Sequence, residues 1–216
     1  GLLRLHRAER SLLYEEFGGA AWRGRWLPDP CVASEEGAWQ ADAGGLCLSG
    51  LGGRVLDLGR DFCPPRAAFA LAACAEEAEA AVGYVVLADA ERRPCAWFYL
   101  EWHRDRVGAP GLACWVNDRQ VALPEWPWPA ALEVGFDFDW AARELTDVRV
   151  GAGRVFRGEG VDFHNAECRG VRFVSLSNRR GVGARARWDT LQLRQERRVV
   201  PASRRRVRPP FLDMML

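Results

Sequence analysis

The chain has neither lysine nor isoleucine, and only two of its 216 residues are methionine. All thirty basic residues are therefore arginine. Lysine and isoleucine have AT-rich codons, so a GC-rich genome explains their absence, and the abundance of arginine by itself indicates no particular partner. The formal net charge of +1 gives the chain as a whole no electrostatic preference for nucleic acid or an anionic membrane.

Long apolar runs are also missing. No stretch of 18 or more apolar residues occurs, so the sequence predicts no membrane span. No secretory signal pattern stands at the N-terminus, although the chain starts at Gly1 and the loss of a targeting segment stays open. The hydrophobic fraction of 49% is ample for a packed core.

Cysteine is present without a metal-binding arrangement. No CxxC pair occurs, and no histidine lies at zinc-ligand spacing from a cysteine, so the sequence predicts no metal site among them. Cys47, Cys74, Cys95 and Cys114 lie in apolar runs and are interpreted as buried thiols that pack as small hydrophobic groups. One or two disulfides among the seven remain an alternative. The other three are Cys31, Cys63 and Cys168.

The hydrophobic pattern indicates strands. Helical periodicity is confined to the Ala- and Glu-rich stretch Ala72–Ala81. Side chains alternate between apolar and polar in Leu132–Trp140, and two faces separate in Cys95–His103, a period-two pattern that excludes a helix. About a dozen such segments with short connections predict a two-sheet, all-β sandwich. We place this domain at residues 1–194 and an extended C-terminal arm at residues 195–216.

Four segments resemble the concanavalin A-like lectin/glucanase superfamily, and together they cover roughly Leu12 to Arg194. They are LLYEEFGG…WRGRW from Leu12 to Trp26, WQADAGGLCLSG from Trp39 to Gly50, FDFDWAARELTDVRVGAG from Phe136 to Gly153 and FVSLSNRRGVGARARWDTLQL from Phe173 to Leu193. The resemblance implies a two-sheet antiparallel jelly-roll sandwich. The superfamily contains glycan-binding lectins, laminin-G-like and pentraxin-like modules and glycoside hydrolases, so the fold alone does not select a function.

Glycosidases of this superfamily carry carboxylates at alternate positions of one strand in an E-x-D-x-E pattern. The corresponding face here consists of Glu133, Gly135, Asp137 and Asp139, with glycine at the central position. We therefore predict no catalytic residues, and keep Glu133, Asp137 and Asp139 as the catalytic set of an alternative interpretation. A solvated strand face explains the same residues.

A second candidate is one face of Cys95–His103, where Trp97, Tyr99, Glu101 and His103 alternate. Aromatic rings stack on the C–H faces of sugars, and neighbouring polar groups bind the hydroxyls. We predict a ligand-binding site here. Burial of the two aromatic residues in the core is the alternative.

No cofactor is predicted. Asp162 and Asn165 offer side-chain oxygen ligands beside His164 on one loop, which makes calcium a weak alternative to an ordinary polar loop.

The C-terminal arm combines basic clusters, prolines and an apolar tip. We predict that it docks on a protein partner or assembly through Arg204, Arg205, Arg206, Phe211, Leu212 and Met215. Aromatic residues do not alternate with the arginines, so nucleic acid is not predicted as the partner.

The sequence thus predicts a non-catalytic binding or structural module that presents a β-sandwich surface to a glycan or protein, as a single unit or as a subunit of a larger assembly. The alternative is a glycoside hydrolase-like enzyme that uses the face of Glu133, Asp137 and Asp139.

Overall fold

The computed structural model describes residues 9–15, 17, 22–32, 38–42, 45–75, 80–104, 110–123, 130–179 and 184–196. Within these ranges the chain is mostly strand, and the helix α1 spans only Trp22–Arg25. The strands are β1 Glu9–Glu15, β2 Trp26–Pro28, β3 Ala38–Asp42, β4 Gly45–Ser49, β5 Gly52–Phe62, β6 Arg66–Ala75, β7 Ala80–Ala88, β8 Pro94–Arg104, β9 Pro110–Val116, β10 Arg119–Leu123, β11 Leu132–Asp139, β12 Glu144–Val150, β13 Gly153–Arg154, β14 Val161–Asp162, β15 Val171–Asn178 and β16 Ala184–Glu196.

The strands form two antiparallel sheets, as predicted. Sheet A has the order β13-β12-β11-β6-β16-β4-β3, with β1 also paired to β16 and β14 to β12. Sheet B has the order β10-β9-β8-β7-β15-β5-β2. One edge of the long strand β16 pairs with β6, while the other edge is shared by β4 and β1. This arrangement is a jelly-roll sandwich.

The stretch Ala72–Ala81 has a helix-like composition, but its first part forms a strand in the structure. Its first four residues belong to β6, and Ala72 to Ala75 pair with Arg187 to Ala184 of β16. Alanine favours helix in isolation, but hydrogen bonding to a neighbouring strand and burial override that preference.

The core lies between the sheets and is filled by the alternating apolar side chains. In β8, Phe98 and Leu100 are each only 1% exposed. The Phe69 ring of sheet A meets the Phe98 ring of sheet B at 5.1 Å in an edge-to-face contact. The period-two alternation of the sequence therefore correctly predicts which side chains of these strands point into the core and which point outward.

The sheets pack closely where β6 faces β7. A Cβ atom at Gly83 would lie 2.7 Å from Leu71 Cδ1, so a larger residue there would require the Leu71 side chain to move. The Trp188 indole N–H donates a hydrogen bond across the sandwich to the Tyr84 carbonyl oxygen at 3.1 Å. These contacts fix the position of β7, whose outer face carries part of the candidate site described next.

Among the described residues, no helix is long and apolar enough to cross a membrane. The last strand ends at Glu196, and residues 197–216 lie outside the described part of the chain. The arm, its boundary and its docking residues therefore stay predictions.

Candidate functional site

Four aromatic side chains lie together on the outer surface of sheet B. Tyr84, Trp97, Tyr99 and Trp115 come from the adjacent strands β7, β8 and β9, and all are half-buried. Tyr99 stacks on its cross-strand neighbour Trp115, with ring centroids 5.6 Å apart and planes 13° apart. On its other side Tyr99 lies 5.2 Å from Tyr84. We call this surface the aromatic face.

Cross-strand pairing explains why the rings meet. Residues opposite each other in neighbouring antiparallel strands point to the same side of the sheet, with side chains near enough to touch. The register places Tyr84 opposite Tyr99, and Tyr99 opposite Trp115. The Trp97 ring completes the face at 6.0 Å from Tyr84.

Polar groups surround the rings. The Arg179 guanidinium lies 4.9 Å from the centroid of Tyr84 and 5.7 Å from that of Trp97, within the range of cation–π attraction. The His164 ring packs edge-on against Trp97 at 4.7 Å. His164 Nδ1 is 3.8 Å from an Asp118 carboxylate oxygen, which is too long for a hydrogen bond.

Burial keeps the Tyr99 hydroxyl in its neutral form. Burial, followed by Tyr84 and the negative charges of Glu101 and Asp118, raises the pKa of Tyr99 to about 12. Tyr99 therefore stays protonated at neutral pH and can donate a hydrogen bond.

Three ring nitrogens at or beside the aromatic face could still form hydrogen bonds. Within the described ranges, the buried indole nitrogens of Trp97 and Trp115 and the buried Nδ1 of His164 have no hydrogen-bond partner. A cavity of about 160 Å³ adjoins Trp97, with Ser175, Ser177, Arg92 and Arg179 among its lining residues. It has room for several water-sized groups.

The structure brings together three of the four residues predicted to bind a ligand. Trp97, Tyr99 and Glu101 project from one face of β8, with Glu101 half-buried. His103 belongs to the same strand, but its side chain lies outside the described set. Their role in binding stays a prediction.

Sequence reasoning did not find Tyr84, Trp115 and Arg179. Alternation in single strands shows that the two aromatic residues can point outward. It does not show which strands are neighbours, and the cross-strand register decides that the rings meet.

The outer surface of sheet A is charged instead of aromatic. Three cross-strand pairs lie on it: Arg66 opposite Asp137, Ala68 opposite Gly135, and Ala70 opposite Glu133. We call this surface the charged face. A groove of about 370 Å³ follows it, and Arg66, Glu133, Gly135, Arg149, Thr190 and Arg194 are among its lining residues.

Two of the three carboxylates in the alternative catalytic set form hydrogen bonds within the protein. Arg66 donates two hydrogen bonds to Asp137, at 2.6 and 2.9 Å, and Arg149 lies 3.8 Å from the same carboxylate. Asp139 accepts hydrogen bonds from the backbone N–H groups of Ala141 and Ala142 at the start of the following turn. Glu133 is exposed on the same strand face.

Glu133 and Asp137 are four residues apart on β11, as the two outer acidic residues of the E-x-D-x-E pattern are, and Gly135 replaces the central acid. Since arginine also binds Asp137, the charged face is poorly arranged for proton donation by this residue.

The three residues considered for calcium contact different neighbours. The Asp162 backbone carbonyl accepts a hydrogen bond from the Asn117 side chain, while Asn165 Oδ1 accepts one from the Glu167 N–H. His164 packs on Trp97. Among the described residues, no group of three or more His, Cys, Asp or Glu side chains is arranged to hold a metal ion.

The largest of these cavities, about 650 Å³, lies beside β12 and residues 154–160. Its charged walls are paired with one another: the Arg154 guanidinium is 2.9 Å from Asp147, which also lies 3.6 Å from Arg149. Phe156 is its single aromatic lining residue within the described chain. It therefore offers no stacking surface comparable with the aromatic face.

Comparison with known proteins gives a structural answer only. No family model matches the chain, and no curated protein sequence matches it.

Several solved structures have a similar fold. The laminarinase catalytic domain from Thermotoga maritima aligns with a TM-score of 0.54 and 8% identity, over 88% of this chain and 99% of that one. SCLam, a non-specific endo-β-1,3(4)-glucanase from family GH16, gives 0.54 and 11%, over 88% and 92%. The carbohydrate recognition domain of Emp46p gives 0.51 and 8%, over 85% and 95%. The chain therefore has the concanavalin A-like jelly-roll fold, as the resemblance predicted.

The prediction of a non-catalytic binding or structural module is wrong by this comparison. The similar structures are mostly endo-glucanases and laminarinases. The predicted roles as a structural subunit and as a partner of another protein through the arm receive no support.

Proposed function

We propose that the protein is a glycoside hydrolase-like enzyme that acts on a β-glucan, with the glucan chain lying on the aromatic face. One observation carries the proposal: half-buried rings from three adjacent strands lie side by side on the outer surface of sheet B, with a carboxylate on the same side of β8. The rings are Tyr84, Trp97, Tyr99 and Trp115, and the carboxylate is that of Glu101.

The surface suits a sugar chain physically. A pyranose has apolar C–H faces and a rim of hydroxyls, and an aromatic ring with neighbouring polar groups matches both parts. Tyr99 supplies a protonated hydroxyl at neutral pH. Arg179 and Ser177 border the opposite side of the rings, where they can bind further hydroxyls.

Cleavage of a glycosidic bond requires two carboxyl groups. One protonates the leaving oxygen, and the other acts as a nucleophile or activates water. We assign one of these groups to Glu101, whose carboxylate lies on the outer side of β8 with Trp97 and Tyr99. Asp137 is a poorer candidate because Arg66 holds its carboxylate through two hydrogen bonds.

The fold comparison supports the same class of reaction and substrate. The laminarinase domain and SCLam align over nearly their whole length with TM-scores above 0.5. One fold can host many functions, so the comparison does not decide which face of the sandwich binds the substrate.

The test is release of reducing ends from laminarin and from mixed-linkage β-1,3-1,4-glucan by the purified chain. We expect turnover by the wild type. Glu101→Gln should lower kcat/KM by about 10²–10⁴-fold, the usual contribution of a general acid or base. Glu133→Gln removes a carboxylate from the opposite sheet and should change kcat/KM less than about twofold, as a matched control.

Two outcomes contradict the proposal. One is a folded wild-type protein, verified by circular dichroism, that releases no reducing ends from either glucan. The other is activity that survives Glu101→Gln but is lost in Glu133→Gln or Asp137→Asn, which would place the chemistry on the charged face.

A further inference from the structure

A polar cavity lies on the outer surface of sheet B, next to the aromatic face. It is the cavity of about 160 Å³ that adjoins Trp97, and Ser175 and Ser177 of β15 line it together with Val86 of β7. The register places Ser175 opposite Val86, and Val86 opposite Trp97, so these side chains share one side of the sheet. The volume corresponds to about five water molecules, which is the scale of a single sugar residue.

The turn that follows β2 forms the wall away from the aromatic face. Asp29 and Val32 of this turn line the cavity. The Asp29 N–H donates a hydrogen bond to the Gly53 carbonyl oxygen at 3.0 Å, and a Cβ atom at Gly53 would lie 2.8 Å from Val32 Cγ2. The turn therefore lies directly on β5, which neighbours β15 on the side away from β7.

An arginine stands at each end of the two serines. Arg92, in the turn between β7 and β8, places its guanidinium 3.7 Å from the centroid of the Phe173 ring at one end of β15. Arg179 directly follows β15 at the other end, where its guanidinium lies against rings of the aromatic face. Both arginines line the cavity, so two cationic groups from different segments converge on it.

The two ends differ in how their charge is compensated. Arg92 Nη1 lies 4.0 Å from Oδ1 of the buried Asp29, so one negative charge offsets that end. Among the residues that the structure describes, Arg179 has no carboxylate within ion-pair distance. A guanidinium that packs on aromatic rings can still direct its N–H groups to a carboxylate or sulfate. The cavity as a whole keeps a net positive charge.

A buried hydroxyl lies near the uncompensated end. Ser177 is 2% exposed and lines the cavity, and its hydroxyl forms no hydrogen bond to another residue of the described ranges. A buried polar group without a partner costs free energy, and a ligand oxygen that binds it would remove that cost. Ser175, two residues earlier on the same side of β15, offers a second hydroxyl.

We propose that this cavity binds one acidic sugar residue, whose carboxylate or sulfate group is held by Arg179 and Ser177. The ring of the sugar packs against Trp97, and its hydroxyls bind to Asp29 and Arg92 at the other end. Carboxylate and sulfate present similar oxygen pairs to a guanidinium, and a charge-assisted hydrogen bond is stronger than a neutral one. The proposal concerns binding and does not depend on cleavage of a glucan.

NMR titration of the full chain with small sugars tests the site. The probes are methyl β-D-glucuronide, methyl β-D-glucoside 6-sulfate and the neutral methyl β-D-glucoside. We expect at least one acidic sugar to bind about tenfold or more tightly than the neutral glucoside, because of the added charge-assisted contact. The preference should shrink as salt is raised. The acidic sugar that binds more tightly identifies the group that the site prefers.

Matched variants locate the site. Arg179→Gln should remove the preference for the acidic sugars. Arg157→Gln removes the same charge at an exposed position outside this cavity and should leave the preference unchanged. Ser175→Leu fills part of the cavity without changing its charge, and should weaken binding of the acidic sugars at least about tenfold through steric clash. Circular dichroism verifies that each variant is folded.

Three outcomes would overturn the proposal. The first is equal affinity of the wild type for the acidic and neutral sugars. The second is inorganic sulfate that binds as tightly as the acidic sugars, since the cavity would then hold an anion without recognising a sugar. The third is a preference that survives Arg179→Gln and is lost in Arg157→Gln. The first two need only the wild type, and release of reducing ends from laminarin is a separate measurement, so the two proposals can fail independently.

Discussion

The outer surfaces of the two sheets have opposite chemistry on the same architecture. On the charged face, small residues such as Ala68 and Gly135 form the centre, and the charges beside them pair with one another, as Arg66 does with Asp137. On the aromatic face, Tyr99 and Trp115 stack while remaining half-exposed. Charges that are already paired have less to offer a ligand, whereas exposed ring surface gains free energy when it is covered.

The polar groups of the two sheets also differ in burial. Asp137 and Arg66 keep about a third of their side-chain surface exposed, so water screens their attraction. Asp89, in the turn between β7 and β8, is fully buried and bound to Arg93. Its carboxylate also accepts hydrogen bonds from the backbone N–H groups of Glu91, Arg93 and Arg169. It thereby connects that turn to the loop region that carries His164 and Cys168.

The largest expected difference between the sheets is in stability. Asp89→Ala leaves the backbone N–H groups of Glu91, Arg93 and Arg169 without their acceptor and removes one partner of the partly exposed Arg93 guanidinium, and should lower the free energy of unfolding by about 3 kcal/mol. Asp137→Ala breaks a half-exposed pair and should cost about 1 kcal/mol or less. Urea denaturation of both variants measures the difference, and equal losses would refute the contrast in burial.

The second difference is in glucan affinity and depends on the proposed function. Trp97→Ala should weaken binding of laminarin by roughly 30-fold, or about 2 kcal/mol, because a large aromatic contact is removed. Arg149→Ala, on the charged face, is the matched control and should change affinity less than about twofold. Isothermal titration measures both, with near-UV circular dichroism to verify the fold. A stronger effect of Arg149→Ala would place the glucan on the other sheet.

Acid should destabilise the protein through the Asp89 turn. Burial alone raises the pKa of Asp89, but hydrogen bonds from the Arg93 side chain and from backbone N–H groups outweigh it and hold the pKa below its usual value. Since the pKa is lower in the folded state, the stabilisation is present above the unfolded pKa of about 4 and is lost as pH falls through the folded pKa. Unfolding free energies below about pH 4 should therefore decline more steeply in the wild type than in Asp89→Asn. Parallel curves would contradict this.

The smallest effect is expected on the charged face. The nearest atoms to an added Cβ at Gly135 would be the Ala67 carbonyl oxygen at 3.6 Å and Arg149 Nε and Nη2, both at 3.8 Å, which are ordinary contacts. Gly135→Ala should therefore change the free energy of unfolding by about 0.5 kcal/mol or less, with stabilisation as the expected sign, because glycine is unfavourable within a strand. A loss above about 2 kcal/mol, measured by urea denaturation, would show that the central glycine is required by packing.

Much of the fold can be predicted from the chain alone, because period-two alternation is a local property. It assigns Phe98 and Phe136 to the core and Tyr99 and Asp137 to the outer faces, as the structure has them. The candidate site is only partly predictable. Trp97, Tyr99 and Glu101 share one strand and follow from the alternation, but Asp137 looks available in sequence and is bound by Arg66 in the fold.

The order of residues therefore determines which segments are strands, which side chains point inward or outward, and that the fold has two sheets. This is because backbone geometry makes side chains alternate along a strand. Which strands are neighbours does not follow, because pairing joins residues that are far apart in the chain. The register that stacks Trp115 on Tyr99 and the arginine that binds Asp137 both arise from long-range packing. Long-range packing therefore sets the chemistry of each face, because it brings side chains from separate segments onto one surface.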